Sequence, residues 1–287
     1  MIGRLFAVAP SLVYAFAFVA SACVGSFINV VIARLPAGES LVWPSSRCPK
    51  CKAAIAWYDN LPIVSWIALR GRCRRCRERI SPRYLAVELI VGLLGVALVH
   101  RFGPGVEALG YFAFTAGLVA LAYIDLATWL LPHEITWPLL GLGLLSPLWT
   151  GMRWSESSIG AAAGLAAFAA IAFFGEKVLK KEAMGWGDVW LLGGIGAWLG
   201  WPALLPVVML SALQGVIVGF ALLKARRGQD PSPPVPTPQA DTQDEEWVPP
   251  PTAVPFGPFL ALAALEHLFF GAALSRAYHA LLSRLWA

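Results

Sequence analysis

The chain has 287 residues, of which 58% are hydrophobic and only 14% charged, and its net charge is +5. So few charges cannot coat a globule of this size, which excludes an ordinary soluble domain and makes the bilayer the solvent. The positive balance does not point to nucleic acid, because the basic residues sit in connections between apolar runs, where they report membrane orientation.

Apolar runs approaching the ~20 residues needed to cross a bilayer core lie at Leu12 to Ala33, Leu85 to Val99, Ala108 to Ile124, Ile135 to Trp149, Ile159 to Phe174, Val189 to Trp201, Ala203 to Leu223 and Phe259 to Leu274. The expected fold class is therefore an all-α polytopic membrane protein with about eight transmembrane helices. Met1 to Arg4 and the apolar run up to Cys23 have the look of a cleavable signal, but the run continues from Val24 to Ala33 and reads as a retained span. Cys23 is read as buried packing. The expected organisation is a first span at 1–34, a loop at 35–83 and a membrane unit at 84–287 that contains a Pro-rich loop at 228–257.

The connection from Arg34 to Arg83 holds half of the chain's 22 Lys and Arg. An excess of this kind marks the cytoplasmic side. Alternation then places the turn at Leu126 to Glu134, the loop Gly175 to Asp188 and the loop beginning at Lys224 on that same side. The stretch Gly228 to Pro258 carries ten prolines and the acids Asp230, Asp241, Asp244, Glu245 and Glu246, and reads as an extended or disordered linker.

Within the first connection, Cys48-Pro49-Lys50-Cys51 and Cys73-Arg74-Arg75-Cys76 are two Cys-x-x-Cys knuckles with 21 residues between them. Four thiolates at this spacing match a closed tetrahedral zinc site of the ribbon type, whose role is structural because no coordination position stays open. Disulfide or redox pairing is the competing reading, and a cytoplasmic placement argues against it. The neighbouring arginines are expected to favour the thiolates.

Two acids stand at the same membrane face. The third run ends at Tyr123-Ile124-Asp125, and Asp188 opens the sixth behind Gly185-Trp186-Gly187, so topology brings together carboxylates 63 residues apart. Two unit charges about 4 Å apart near a protein surface repel by about 4 kcal/mol, so such a pair shares one proton and can act as base and acid together. Asp188, at a helix N-terminus, is expected to be the ionised member, with Asp125 carrying the proton. Gly185 and Gly187, lacking Cβ atoms, are expected to let a substrate backbone approach. Simpler readings stand beside this one: Asp188 as a helix cap, Asp125 as an interfacial residue, or the two as a proton relay in a polytopic transporter. A transporter would spread its polar groups across midspan positions. His133, close to Asp125 in sequence, reads as a solvated residue, and the 13 Trp residues as interfacial anchors and packing.

Gly185-Trp186-Gly187-Asp188 resembles the Gly-x-Gly-Asp motif of membrane-embedded aspartic proteases. The chain further resembles bacterial type IV prepilin peptidases through Gly25-Ser26-Phe27-Ile28-Asn29-Val30-Val31-Ile32-Ala33-Arg34-Leu35-Pro36, Arg83-Tyr84 with Val87-Glu88-Leu89, Tyr123-Ile124-Asp125 with Leu131-Pro132, and Pro255-Phe256-Gly257-Pro258-Phe259, which stand in that family's order. It departs from the usual pattern at Ala127, where a second acid is common, and at His133-Glu134 after Leu-Pro. The resemblance implies that Asp125 and Asp188 are catalytic. It implies substrates that are prepilins or pseudopilins, cut after the glycine ending a short basic leader, and a multi-pass protein of the bacterial inner membrane with its site facing the cytoplasm. It also implies N-methylation of the new terminus with S-adenosylmethionine. The sequence shows no glycine-rich adenosyl site of its own; Asn29, Arg34 and Glu88 are the polar candidates for that cofactor or the substrate. Expected partners are the substrates and the lipid bilayer, with no nucleic acid.

Overall fold

The computed structural model describes residues 6, 8–179, 184–226 and 254–285; most of the Pro-rich loop lies outside them. The described chain is built from helices: α1 (Pro10–Arg34), α2 (Val64–Ala68), α3 (Pro82–Phe102), α4 (Val106–Thr128), α5 (His133–Leu145), α6 (Pro147–Thr150), α7 (Trp154–Phe174), α8 (Trp186–Leu199), α9 (Leu204–Arg226) and α10 (Gly257–Leu285). Two isolated β-bridges, both in the loop between α1 and α3, are the extended pairing among the described residues.

Each of the eight apolar runs has a helix, so the all-helical class holds. Five helices are long and apolar enough to span: Pro10–Arg34, Pro82–Phe102, Val106–Thr128, Trp154–Lys177 and Trp201–Ala225. The helices α5 and α8 have 13 and 14 residues, or about 20 Å each at 1.5 Å per residue, against a hydrocarbon core of about 30 Å. Local chemistry sets these limits. Pro132 precedes α5, which carries Pro138 inside it, and Gly200 at φ 79 stops α8 just before Trp201-Pro202.

Close approach of backbones organises the packing. The helix α7 packs most extensively on α8, and α1 on α3. At the first crossing, a Cβ on Gly160 would land inside the Gly196 carbonyl, and one on Gly164 would sit 2.6 Å from the Leu192 carbonyl oxygen. At the second, a Cβ on Gly25 would meet the Glu88 Cα at 2.9 Å. In lipid, where apolar burial gives little drive between helices, such contacts supply the association. The Gly160-x-x-x-Gly164 spacing is a signal for the first crossing.

The helix α4 joins the two packed regions. Phe114, Leu118 and Leu121 enter a core shared with α5, α7, α8, α9 and α10, while Ala116, Val119, Ala120 and Ile124 pack with Ile28, Val31, Val87 and Val91 of α1 and α3. Trp198 is fully buried at the first of these, stacked on Phe114 at 5.2 Å and donating its indole N–H to the Leu139 carbonyl at 2.8 Å. It is therefore core and not an interfacial anchor. Cys23, expected to be buried, is exposed on α1, which suits a small apolar side chain facing lipid.

Candidate active site

Asp125 is one turn from the end of α4, whose last turn closes with the Trp129 N–H on the Asp125 carbonyl at 2.9 Å and Trp129 at φ 59. Its side chain is 5% exposed, and Oδ2 accepts the Gly257 N–H at 3.1 Å. Gly257 starts α10, and Pro258 behind it has no N–H, so Gly257 presents one of the few donors free at that terminus. Asp125 thus caps a helix 132 residues away. A Cβ at Gly257 would stand 2.5 Å from Asp125 Oδ2, so only glycine leaves room for this contact.

Asp188 is in the first turn of α8, close enough to Asp125 to feel its charge. It does not act as the cap of its own helix. Gly185 occupies the N-cap position, there is no side-chain cap bond, and Asp188 Oδ1 is buried without a hydrogen-bond partner among the described residues. The backbone donor that favours an anion therefore serves Asp125 and not Asp188, where the sequence expectation had placed the ionised member. The N-terminus that matters is that of α10, where a backbone N–H points at a carboxylate.

The two motif glycines have different surroundings. A Cβ on Gly187 would sit 2.6 Å from the Leu131 Cβ, so the space that Gly187 leaves is filled by Leu131 and not by an incoming chain. Leu131 also reaches Gly257, as its Cδ1 would lie 3.4 Å from a Cβ there, and so it wedges between the starts of α8 and α10. Gly185 is exposed, and a Cβ there would meet only Asp188 Oδ2, at 3.8 Å. His133 is exposed and stacked on Trp137 at 5.1 Å, with Trp190 edge-on to both rings.

The four cysteines of the loop come together, with thiol sulfurs all within 4.8 Å of one another and Cys48 Sγ 3.8 Å from Cys76 Sγ. A tetrahedron with metal–sulfur bonds of about 2.3 Å has edges of about 3.8 Å, so the donor set fits zinc. The two knuckles repeat each other 25 residues apart. Lys52 N–H bonds the Cys48 carbonyl and Arg77 N–H the Cys73 carbonyl, Lys52 and Arg77 have φ 57 and 60, and the bridges Arg47–Ala54 and Arg72–Arg79 close each turn. Cys48 is held down at about 7 by the backbone N–H of Cys51, not by an arginine.

The polar candidates for a cofactor bond to their own chain and not to one another. Arg34 donates to the carbonyls of Ser40 and Pro44 at 3.0 and 2.8 Å, and Glu88 accepts the Ile63 N–H at 2.7 Å. Asn29 donates to the Tyr84 carbonyl at 3.1 Å, while its buried Oδ1 has no partner among the described residues. One acid does lie at midspan. Glu266, nine residues into α10, accepts from Gln214 of α9 at 2.6 Å. A single pair of this kind holds two helices together in lipid, which is not the distributed polar path of a transporter.

Comparison with known proteins agrees with this geometry. Residues 19–102 match the bacterial Peptidase A24 N-terminal domain and residues 112–220 the type IV leader peptidase family. The chain is 41% identical over 320 residues to the prepilin leader peptidase/N-methyltransferase of Myxococcus xanthus, covering 96% of this chain and 93% of the relative. It is 36% identical over 294 residues to the protein of that name from Aeromonas hydrophila, covering 94% of each. No solved structure matches. With likeness at this level over nearly its whole length, the chain belongs to the prepilin leader peptidase/N-methyltransferase family.

Proposed function

We propose that this protein is an aspartic endopeptidase of the bacterial inner membrane that removes the basic leader of prepilins or pseudopilins after a glycine, at a site facing the cytoplasm. It then methylates the exposed amine. What supports this reading is that Asp188 lies within the electrostatic reach of Asp125, which is buried and held by the Gly257 N–H.

Asp125 is the base and Asp188 the acid. A water between them gives a proton to Asp125 as its oxygen bonds the scissile carbonyl carbon, and Asp188 passes its proton to the carbonyl oxygen. In the second step the carbon–nitrogen bond breaks, the departing amine takes the proton from Asp125, and Asp188 recovers its proton from a hydroxyl of the intermediate. No covalent intermediate forms. Gly185, exposed beside Asp188, leaves room for the substrate backbone, while Gly187 serves the site through Leu131.

Cys48, Cys51, Cys73 and Cys76 would hold a structural Zn2+, which orders the loop and takes no part in hydrolysis. S-adenosylmethionine supplies the methyl group of the second activity. Of the three polar candidates for it, Asn29 alone keeps a buried acceptor unspent.

The test is incubation of purified protein with a leader-bearing prepilin, with and without S-adenosylmethionine, reading products by mass. The reading requires loss of the leader in both cases and a gain of one methyl group only with the donor. An intact substrate mass in both would overturn it.

A further inference from the structure

The loop between α1 and α3 is fixed by a second device besides its thiols. Glu88 lies six residues into α3, about 9 Å along the helix axis from Pro82. It is 7% exposed, and it accepts the Ile63 N–H at 2.7 Å. Ile63 sits at φ 64 and ψ −54, and the Val64 N–H reaches back to the Pro62 carbonyl at 2.6 Å. This is a three-residue turn of the hand that a β-branched residue rarely adopts, so it persists only where its surroundings hold it. The buried carboxylate of Glu88 does so from below.

The clamp sets depth. The polar layer of one leaflet is roughly 5–8 Å thick, so with α3 entering the headgroups at its first residue, Pro82, a segment tied to Glu88 lies at the boundary between headgroups and acyl chains. At that level α2 presents Val64 and Ile67, three residues apart on one face and 63% and 60% exposed, with Leu61 before them at 45%. Arg70 and Arg72 follow directly, both exposed. The loop from 35 to 83 carries ten Lys and Arg against three acids, two of which are taken by ion pairs, Asp59 with Arg74 and Glu78 with Lys50.

We propose that Leu61 to Arg72 is an interfacial anchor lying on the bilayer, with Val64 and Ile67 at the acyl boundary and Arg70 and Arg72 on lipid phosphates. Three features select lipid as the occupant. The segment is tethered at both ends to spanning helices, it is pinned at headgroup depth by Glu88, and it pairs an apolar face with net positive charge, the combination that binds an anionic membrane surface. The zinc-ordered loop is thereby laid against the membrane face where α1 ends and α3 begins, and is not free to swing away from it.

The test uses full-length, zinc-loaded protein in lipid nanodiscs, with Cys23→Ser and a nitroxide label on Ile67→Cys. Collisions with lipid-soluble oxygen should exceed those with a water-soluble nickel chelate several-fold, and adding Glu88→Ala should shift the balance toward nickel. Trypsin should cut at Arg70 and Arg72 several-fold more slowly in discs containing phosphatidylglycerol than in phosphatidylcholine discs, and high salt should remove the difference. Preferential access of nickel to Ile67, or protection that appears only when prepilin is added, would overturn the anchor. Equal tryptic rates in the two lipids would overturn the phosphate contacts, and a label unmoved by Glu88→Ala would overturn the clamp.

Discussion

The carboxylate pair and the cysteine loop each join residues from separate stretches of the chain, but by opposite means. The helices that carry Asp125 and Asp188 are held near one another because α4, α8 and α10 pack in one core, and a backbone N–H of α10 holds Asp125. Among the described residues, neither acid has a local side-chain hydrogen-bond partner that would place it without the rest of the membrane unit. The cysteines come together through two short knuckles, each closed by its own hydrogen bonds, with few apolar side chains to bury. A site built by packing tolerates little change in shape, whereas a site built by a metal and local turns tolerates change everywhere except at its ligands. The chemistry follows the same division, since hydrolysis needs placement to a fraction of an ångström and a structural metal only needs its four ligands.

The comparison can be broken most directly at the acids. Asp125→Asn and Asp188→Asn should each lower the rate of leader removal by about 10²–10⁴-fold or more, with unchanged zinc content. Either variant cleaving at the normal rate would end the pair. Stripping zinc with a chelator should open the loop to trypsin at Arg70 to Arg79 while the helical circular dichroism stays near its starting value, because the spans do not depend on the metal; a large loss of helix would contradict the division.

Two glycines sharpen the packing side. Gly257→Ala puts a Cβ against Asp125 Oδ2 and should cut kcat about 10²-fold with little change in KM, since it moves a reacting group and not a substrate contact. Gly160→Ala, far from the acids, should lower thermal stability by about 1–3 kcal/mol through the Gly196 carbonyl, measured by detergent-solubilised unfolding. The smallest effect lies in the loop. Arg74 holds the Asp59 carboxyl below its ordinary range by a hydrogen bond and by its charge. The pair's contribution is therefore complete above the unfolded carboxylate value of about 3.9 and is lost only as pH falls through the lower folded value. Asp59→Asn should cost at most about 1 kcal/mol at neutral pH, read from loop proteolysis.

Much of this was legible in the sequence because hydropathy, charge asymmetry and short motifs are one-dimensional signals. The eight apolar runs all have helices, and the four cysteines cluster where they were expected. What the sequence did not carry was the relation between elements. Gly257 and Leu131 sit in family motifs, yet nothing along the chain says that one donates to Asp125 and the other fills the gap at Gly187. The duplication of the knuckles was legible, since Arg47, Lys50, Lys52 and Ile55 recur 25 residues on as Arg72, Arg75, Arg77 and Ile80, but the matching backbone turns were not. The expected protonation order looked to the helix start at Asp188, whereas the backbone donor on a carboxylate comes from a different helix and serves Asp125. Glu88 and Arg34, read from sequence as polar candidates for cofactor or substrate, each bond to backbone of the loop between α1 and α3, a relation that polarity alone does not reveal.

The most direct test of the account is the pH dependence of kcat/KM for leader removal by the bilayer-reconstituted protein. A base and an acid sharing one proton predict a bell-shaped profile whose two limbs belong to the pair as a whole. A profile with a single limb, or one that keeps both limbs after Asp125→Asn or Asp188→Asn, would contradict it.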